Sequence, residues 1–137
     1  NDPYFKIFTT KIFENIYIDE SNLGVVEESF INSMAEIDNF SFSDSTDTDD
    51  IFKNISIQTP LLLDNYKLRN NIRTIIFLMY FNINNELSKA TTVMHLIIIK
   101  NRLFFIAFYD KYKDYSTIKK LEAKSNSIAE KFLNINK

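Results

Sequence analysis

The 137-residue chain has no cysteine, no tryptophan, one glycine, one histidine and two prolines. Each scarcity removes a class of chemistry. Without Cys there can be no disulfide, thiolate metal site or thiol nucleophile. A phosphate-binding P-loop takes two glycines so that backbone N–H groups can wrap the phosphate; a dinucleotide fingerprint takes three. A G-x-S-x-G nucleophile elbow also takes two, because its strained turn leaves no room for Cβ atoms. Gly24 stands alone, so none of the three is present. His95 is equally alone, which rules out zinc sites built on paired histidines. It lies in Val93-Met94-His95-Leu96-Ile97, the interior of an expected strand, and reads as a structural residue rather than the base of a Ser–His–Asp triad.

Long apolar runs are also missing. The longest, Ile75 to Phe81, is far short of the roughly 20 residues that span a bilayer, so no transmembrane segment is expected and the chain reads as soluble. Its first residue is Asn1, not Met, which suggests a removed leader; a periplasmic or lipoprotein-anchored location is favoured over a cytoplasmic one. What is abundant is Ile, Asn, Lys and Phe, the signature of AT-rich coding sequence. With so little Gly, turns that need positive φ must draw on Asn, which tolerates the left-handed region. A hydrophobic content of 45% with 15% aromatics supports a packed core, and the length fits a single domain over residues 1–137.

The net charge of −2 conceals a division. Residues 1–52 carry 2 Lys and 12 Asp/Glu, a net −10, whereas residues 53–137 carry 14 Lys/Arg and 6 Asp/Glu, a net +8. The halves either pack together and partly neutralise each other or, held apart, present patches of opposite sign.

The pattern of apolar residues predicts α+β. Residues 4–18 are aromatic and β-branched and suggest one or two short strands. From Ser21, the expected N-cap, Leu23, Val26, Phe30, Met34 and Ile37 recur at helical spacing, with Glu27, Glu28 and Glu36 on other faces, giving a helix over 22–38. Phe40-Ser41-Phe42 suits a brief strand, and 51–57 a helical turn or a strand. Leu61–Leu68 suits an outer strand with a bulge or turn at Asp64-Asn65. Ile72–Ile83, Thr91–Ile99 and Leu103–Tyr109 are strands whose unbroken apolar runs predict burial on both faces, since a strand with one wet face alternates. Lys100-Asn101-Arg102 joins the last two into a hairpin. Ile118, Leu121, Ile128, Phe132 and Ile135, with Ser125 on the same face, predict a closing helix over 115–134 capped by Asp114 or Ser116. Strands buried on both faces need a cover on each, so the expected architecture is an antiparallel β-sheet flanked by an N-terminal and a C-terminal helix, an α/β/α sandwich.

Two segments are candidate partner-binding sites. Asp44, Asp47, Asp49 and Asp50 form an acidic loop that would attract a basic surface. As an EF-hand it fails, lacking Gly at position six and Glu at position twelve, so it reads as solvated rather than metal-binding. Tyr109, Tyr112 and Tyr115 crowd a strand-to-helix corner, where they either offer a recognition surface or close the end of the core. Nucleic-acid binding is disfavoured, because the cations are mostly Lys spread along a helix and no zinc-finger or RNP1-type motif occurs. No catalytic set, cofactor or metal is expected.

The hairpin Thr91–Tyr109 followed by the helix Ile118–Ile135, after short N-terminal strands and an early helix, resembles the PsbP-like fold family of small α/β/α sandwiches. The resemblance implies a non-enzymatic binding or assembly module and carries over no functional residue. A bacterial immunity-type protein that binds and neutralises a toxin or effector is the most concrete expectation. The alternative is a small-molecule or lipid carrier with an apolar pocket between sheet and helix.

Overall fold

A computed structural model describes residues 8–9, 18–37, 40–42 and 55–137. Its elements run β1 (Phe8–Thr9), a 3₁₀ turn (Glu20–Asn22), α1 (Leu23–Ala35), β2 (Phe40–Phe42), β3 (Ile55–Ile57), β4 (Leu61–Arg69), β5 (Ile72–Ile83), β6 (Glu86–Ile99), β7 (Arg102–Lys111) and α2 (Tyr115–Asn136). The seven strands form one antiparallel sheet in the order β1-β7-β6-β5-β3-β2. It forks at β5, whose outer edge takes β4 along 72–78 and β3 along 81–83. The remaining expectations on residues 1–7, 10–17, 38–39 and 43–54, including the acidic loop, lie outside the described residues.

The meander β4–β7 is stitched by two-residue turns. Ile83 pairs with Glu86 around Asn84-Asn85, and Ile99 with Arg102 around Lys100-Asn101. All four turn residues have positive φ, from 52° to 68°. This is the hairpin turn whose twist matches the strands it joins, built without glycine. The first of these turns shows no apolar signal, and β6 accordingly begins five residues before the expected Thr91. β4 is a continuous strand whose register slips at Leu63 and Leu68, so the expected irregularity is a bulge just before Asp64.

The double burial is observed. On one face Ile72, Ile76, Val93, Ile97, Ile106 and Phe108 pack under α2 through Ile118, Leu121, Ala129 and Leu133. On the other Ile75, Phe77, Leu96, Ile98 and Leu103 pack with Ile18 and with Leu23, Val26 and Phe30 of α1. The alternation of side chains along each strand sends successive residues into separate cores, and each fully buried Ile, Leu or Phe stabilises the fold by about 1.5–3 kcal/mol.

The helices differ from expectation in instructive ways. Ser21 is not the N-cap: Asp19 caps the 3₁₀ turn, accepting from Ser21 N–H at 2.9 Å and from the Ser21 hydroxyl. That hydroxyl bond is the main cause holding the Asp19 carboxyl below its ordinary range. At α2, Asp114 is the cap and forms a capping box with Thr117. The line of α2 pressed on the sheet is Thr117, Leu121, Ser125, Ala129 and Leu133, one residue every four, with Ile118 beside it. It follows the inclined i, i+4 ridge, not the seven-residue line Leu121–Ile128–Ile135, and by the last turn the two have diverged to opposite sides. Ile135, expected in the stripe, is 81% exposed, while Ala129 is fully buried.

This orientation is testable by urea denaturation. Ala129→Leu should cost about 1–3 kcal/mol by overpacking the close approach of helix and sheet, whereas Ile135→Lys should stay within about 0.5 kcal/mol of the parent.

Candidate functional site

The two helices carry the charge division onto opposite faces. Residues 18–37 contain Asp19, Glu20, Glu27, Glu28 and Glu36 and no Lys or Arg. On α1 the outward residues are Val25, Glu28, Ser29, Asn32 and Glu36, all exposed. α2 carries Lys119, Lys120, Lys124 and Lys131 on its exposed side against Glu122 and Glu130. The sheet stands between the carboxylates of α1 and the lysines of α2, so these two sets do not neutralise each other.

Glu27 does not lie on an outer face as the helical pattern suggests. It is 6% exposed, one turn after Leu23, and points to the sheet. Arg73 of β5 reaches it, with a guanidinium nitrogen 3.7 Å from Oε1, and passes 3.5 Å from where a Cβ on Gly24 would stand. A side chain's first carbon there would make ordinary van der Waals contact with the guanidinium. Oε2 has no hydrogen-bond partner. Burial raises the Glu27 pKa, opposed by the charge of Arg73 and by the Asn65 side chain. In sequence, Glu27 and Arg73 are 46 residues apart and nothing but the topology joins them.

The tyrosine corner does not form one patch. Tyr109 is half-buried on the α1 side of β7, two and four residues beyond Ala107 and Phe105, and burial raises its pKa. Tyr112 packs against the opposite core, under α2, with its N–H bonded to the Lys89 carbonyl. Tyr115, the first residue of α2, is 65% exposed, and the Lys119 ammonium lies 5.4 Å from its ring centre. A tyrosine the sequence did not single out, Tyr66, is tied into α2: its hydroxyl donates to Glu122 at 2.6 Å and accepts from Asn126 at 2.8 Å. Burial and that carboxylate push its pKa up to about 12.

Two apolar surfaces remain. Leu61, Leu62 and Leu63, between 39% and 49% exposed, start β4. That strand's bulges and its exposed Asp64, Lys67 and Arg69 are devices that discourage edge-to-edge pairing. A depression of about 280 Å³ lies between α1 and β7, lined by Ile18, Val26, Phe30, Leu103 and Phe105 with Ser29 and Ser33 at its side. Among the described residues no group of three His, Asp or Glu side chains is placed to hold a metal ion, and no helix is long and apolar enough to cross a membrane. No known protein family, curated protein or solved structure matches the chain.

The Glu27–Arg73 pair yields a signed prediction. A carboxyl whose folded pKa is raised costs stability above that pKa, and the cost disappears as pH falls towards its ordinary value. Arg73→Met strands a buried charge and should destabilise by about 1–3 kcal/mol at pH 7, less than a fully enclosed pair because Arg73 is partly open. The deficit, followed by urea denaturation, should shrink as pH is lowered and Glu27 takes up its proton.

Proposed function

We propose that the protein is a non-enzymatic protein-binding module of the immunity type, which neutralises a toxin or effector by covering a basic surface. The observation that carries this reading is the exposed side of α1: it is acidic, it has no compensating cation on its own segment, and the sheet separates it from the lysines of α2. Such a face accelerates encounter with a basic partner and makes binding salt-dependent. The PsbP-like resemblance in the order of elements agrees with a binding role; of Tyr109, Tyr112 and Tyr115, only Tyr115, at the start of α2, is exposed enough to be a contact. Asp44, Asp47, Asp49 and Asp50 belong to the same proposal as a further acidic contribution from the N-terminal half. The carrier reading has one supporting observation, the depression between α1 and β7, whose volume of about 280 Å³ is at the small end for a ligand pocket.

The test is affinity capture from the native source followed by titration of the recovered partner. A basic protein in stoichiometric amount is expected, with affinity falling as salt rises. The double variant Glu28→Lys, Glu36→Lys, both exposed, should weaken binding at least about tenfold and flatten its salt dependence. Recovery of the chain without a partner, together with a retained lipid of defined mass in native mass spectrometry, would transfer the proposal to the carrier.

A further inference from the structure

His95 occupies an unusual place for an ionisable group. It is fully buried at the middle of β6, between Thr74 of β5 and Ile106 of β7, on the face that α2 covers. Nδ1 lies 2.9 Å from the Thr74 hydroxyl and Nε2 meets no partner. The ring stands edge-on to Phe108 with centroids 5.8 Å apart. A neutral imidazole can share one nitrogen with Thr74 and leave the other bare. The imidazolium has two N–H donors, and nothing is placed to receive the second.

We infer that His95 makes the seat of α2 acid-labile: a proton taken from solvent by the ring lifts α2 from the sheet while the strand meander and α1 stay in place. Topology decides which element leaves. The strands hold one another through the β4–β7 ladders, and α1 is bound to the other core, so neither needs α2 for its backbone hydrogen bonds. α2 is joined to the sheet by side chains and by one short connection after Lys111. The ring reaches water on its own side of the sheet only when α2 moves.

Few charges face this seat. α2 presents Glu122, which is already engaged by Tyr66 of β4 and by Lys119. β7 brings Asp110, paired with Thr91, and β6 brings Lys89 to the same face, four and six strand positions from His95, and β5 brings no ionisable side chain to that face between Ile72 and Ile76. None of them hydrogen-bonds His95. Desolvation lowers the ring's pKa from 6.5 to about 4. A folded pKa below the unfolded one contributes stability that is full above the unfolded value and is lost as pH falls through the interval.

The single histidine makes the experiment clean. With ¹³C-labelled His, the folded protein should show one imidazole signal that stays neutral down to about pH 5; a signal titrating near 6.5 in the folded state overturns the inference. In native-state hydrogen exchange, corrected for intrinsic rates, the opening of α2 amides should rise about 20-fold from pH 7 to pH 5, with β5–β7 amides unchanged. His95→Leu, or His95→Gln should the first not fold, should abolish the rise, and Glu122→Gln should keep it. A rise shared equally by strand amides, one that survives loss of the ring, or one that vanishes in Glu122→Gln refutes the assignment.

Discussion

The constraint from which the rest follows is that the middle stretches of β5, β6 and β7 have no wet side. Ile75 and Ile76, or Ile97 and Ile98, are neighbours in the chain that point in opposite directions, and all four are buried. A sheet of this kind exposes apolar surface on whichever face is left bare, so two covers are obligatory. The chain supplies them from its two ends, α1 before the meander and α2 after it. Because the N-terminal half is acidic and the C-terminal half basic, the demand for two covers also sorts charge: one face of the sandwich receives the carboxylates of α1 and the other the lysines of α2. The opposite charges of the two helices are thus sorted onto opposite faces by the demands of the core.

Polar groups inside this arrangement are held on unequal terms. Glu27 is compensated by Arg73, and Tyr66 by Glu122 and Asn126. Each of these ties a helix to β4 or β5 at the rim of its core, where a charged or hydroxyl-bearing head keeps partial contact with water. His95 has only Thr74, and sits in the middle. The rim contacts fix how the helices are seated; the central histidine is tolerated only while it is neutral.

Much of the fold could be read from the chain because unbroken apolar runs and helical stripes are local signals. Ile72–Ile83 matches β5 end to end, and the closing helix is placed to within two residues. What could not be read was set by geometry between distant segments. Ile135 has the right spacing for the stripe, yet the helix crosses a twisted sheet along its i, i+4 ridge and turns that residue to solvent. Glu27 looks like a surface acid in its own helix, and only Arg73, arriving from β5, makes its burial tolerable. The tyrosine corner is three side chains close in sequence but divided by the pleat, which sends Tyr109 and Tyr112 to opposite faces of the sheet. Asn84-Asn85 turns the chain without any apolar punctuation, and an Asn pair in a chain rich in Asn is a weak marker.

The fork at β5 has a consequence for how the chain comes together. The meander β4–β7 closes through hairpins between neighbours in sequence, so its contacts are local and form early. β1 lies against β7, and β3 against β5, segments made later than themselves. During synthesis these two strands therefore emerge before the strands that receive them, and they add at the two margins of the meander. In a chain of this order β1 and β3 wait longest for their partners, so they are the strands that must be kept from pairing with other chains until the meander closes.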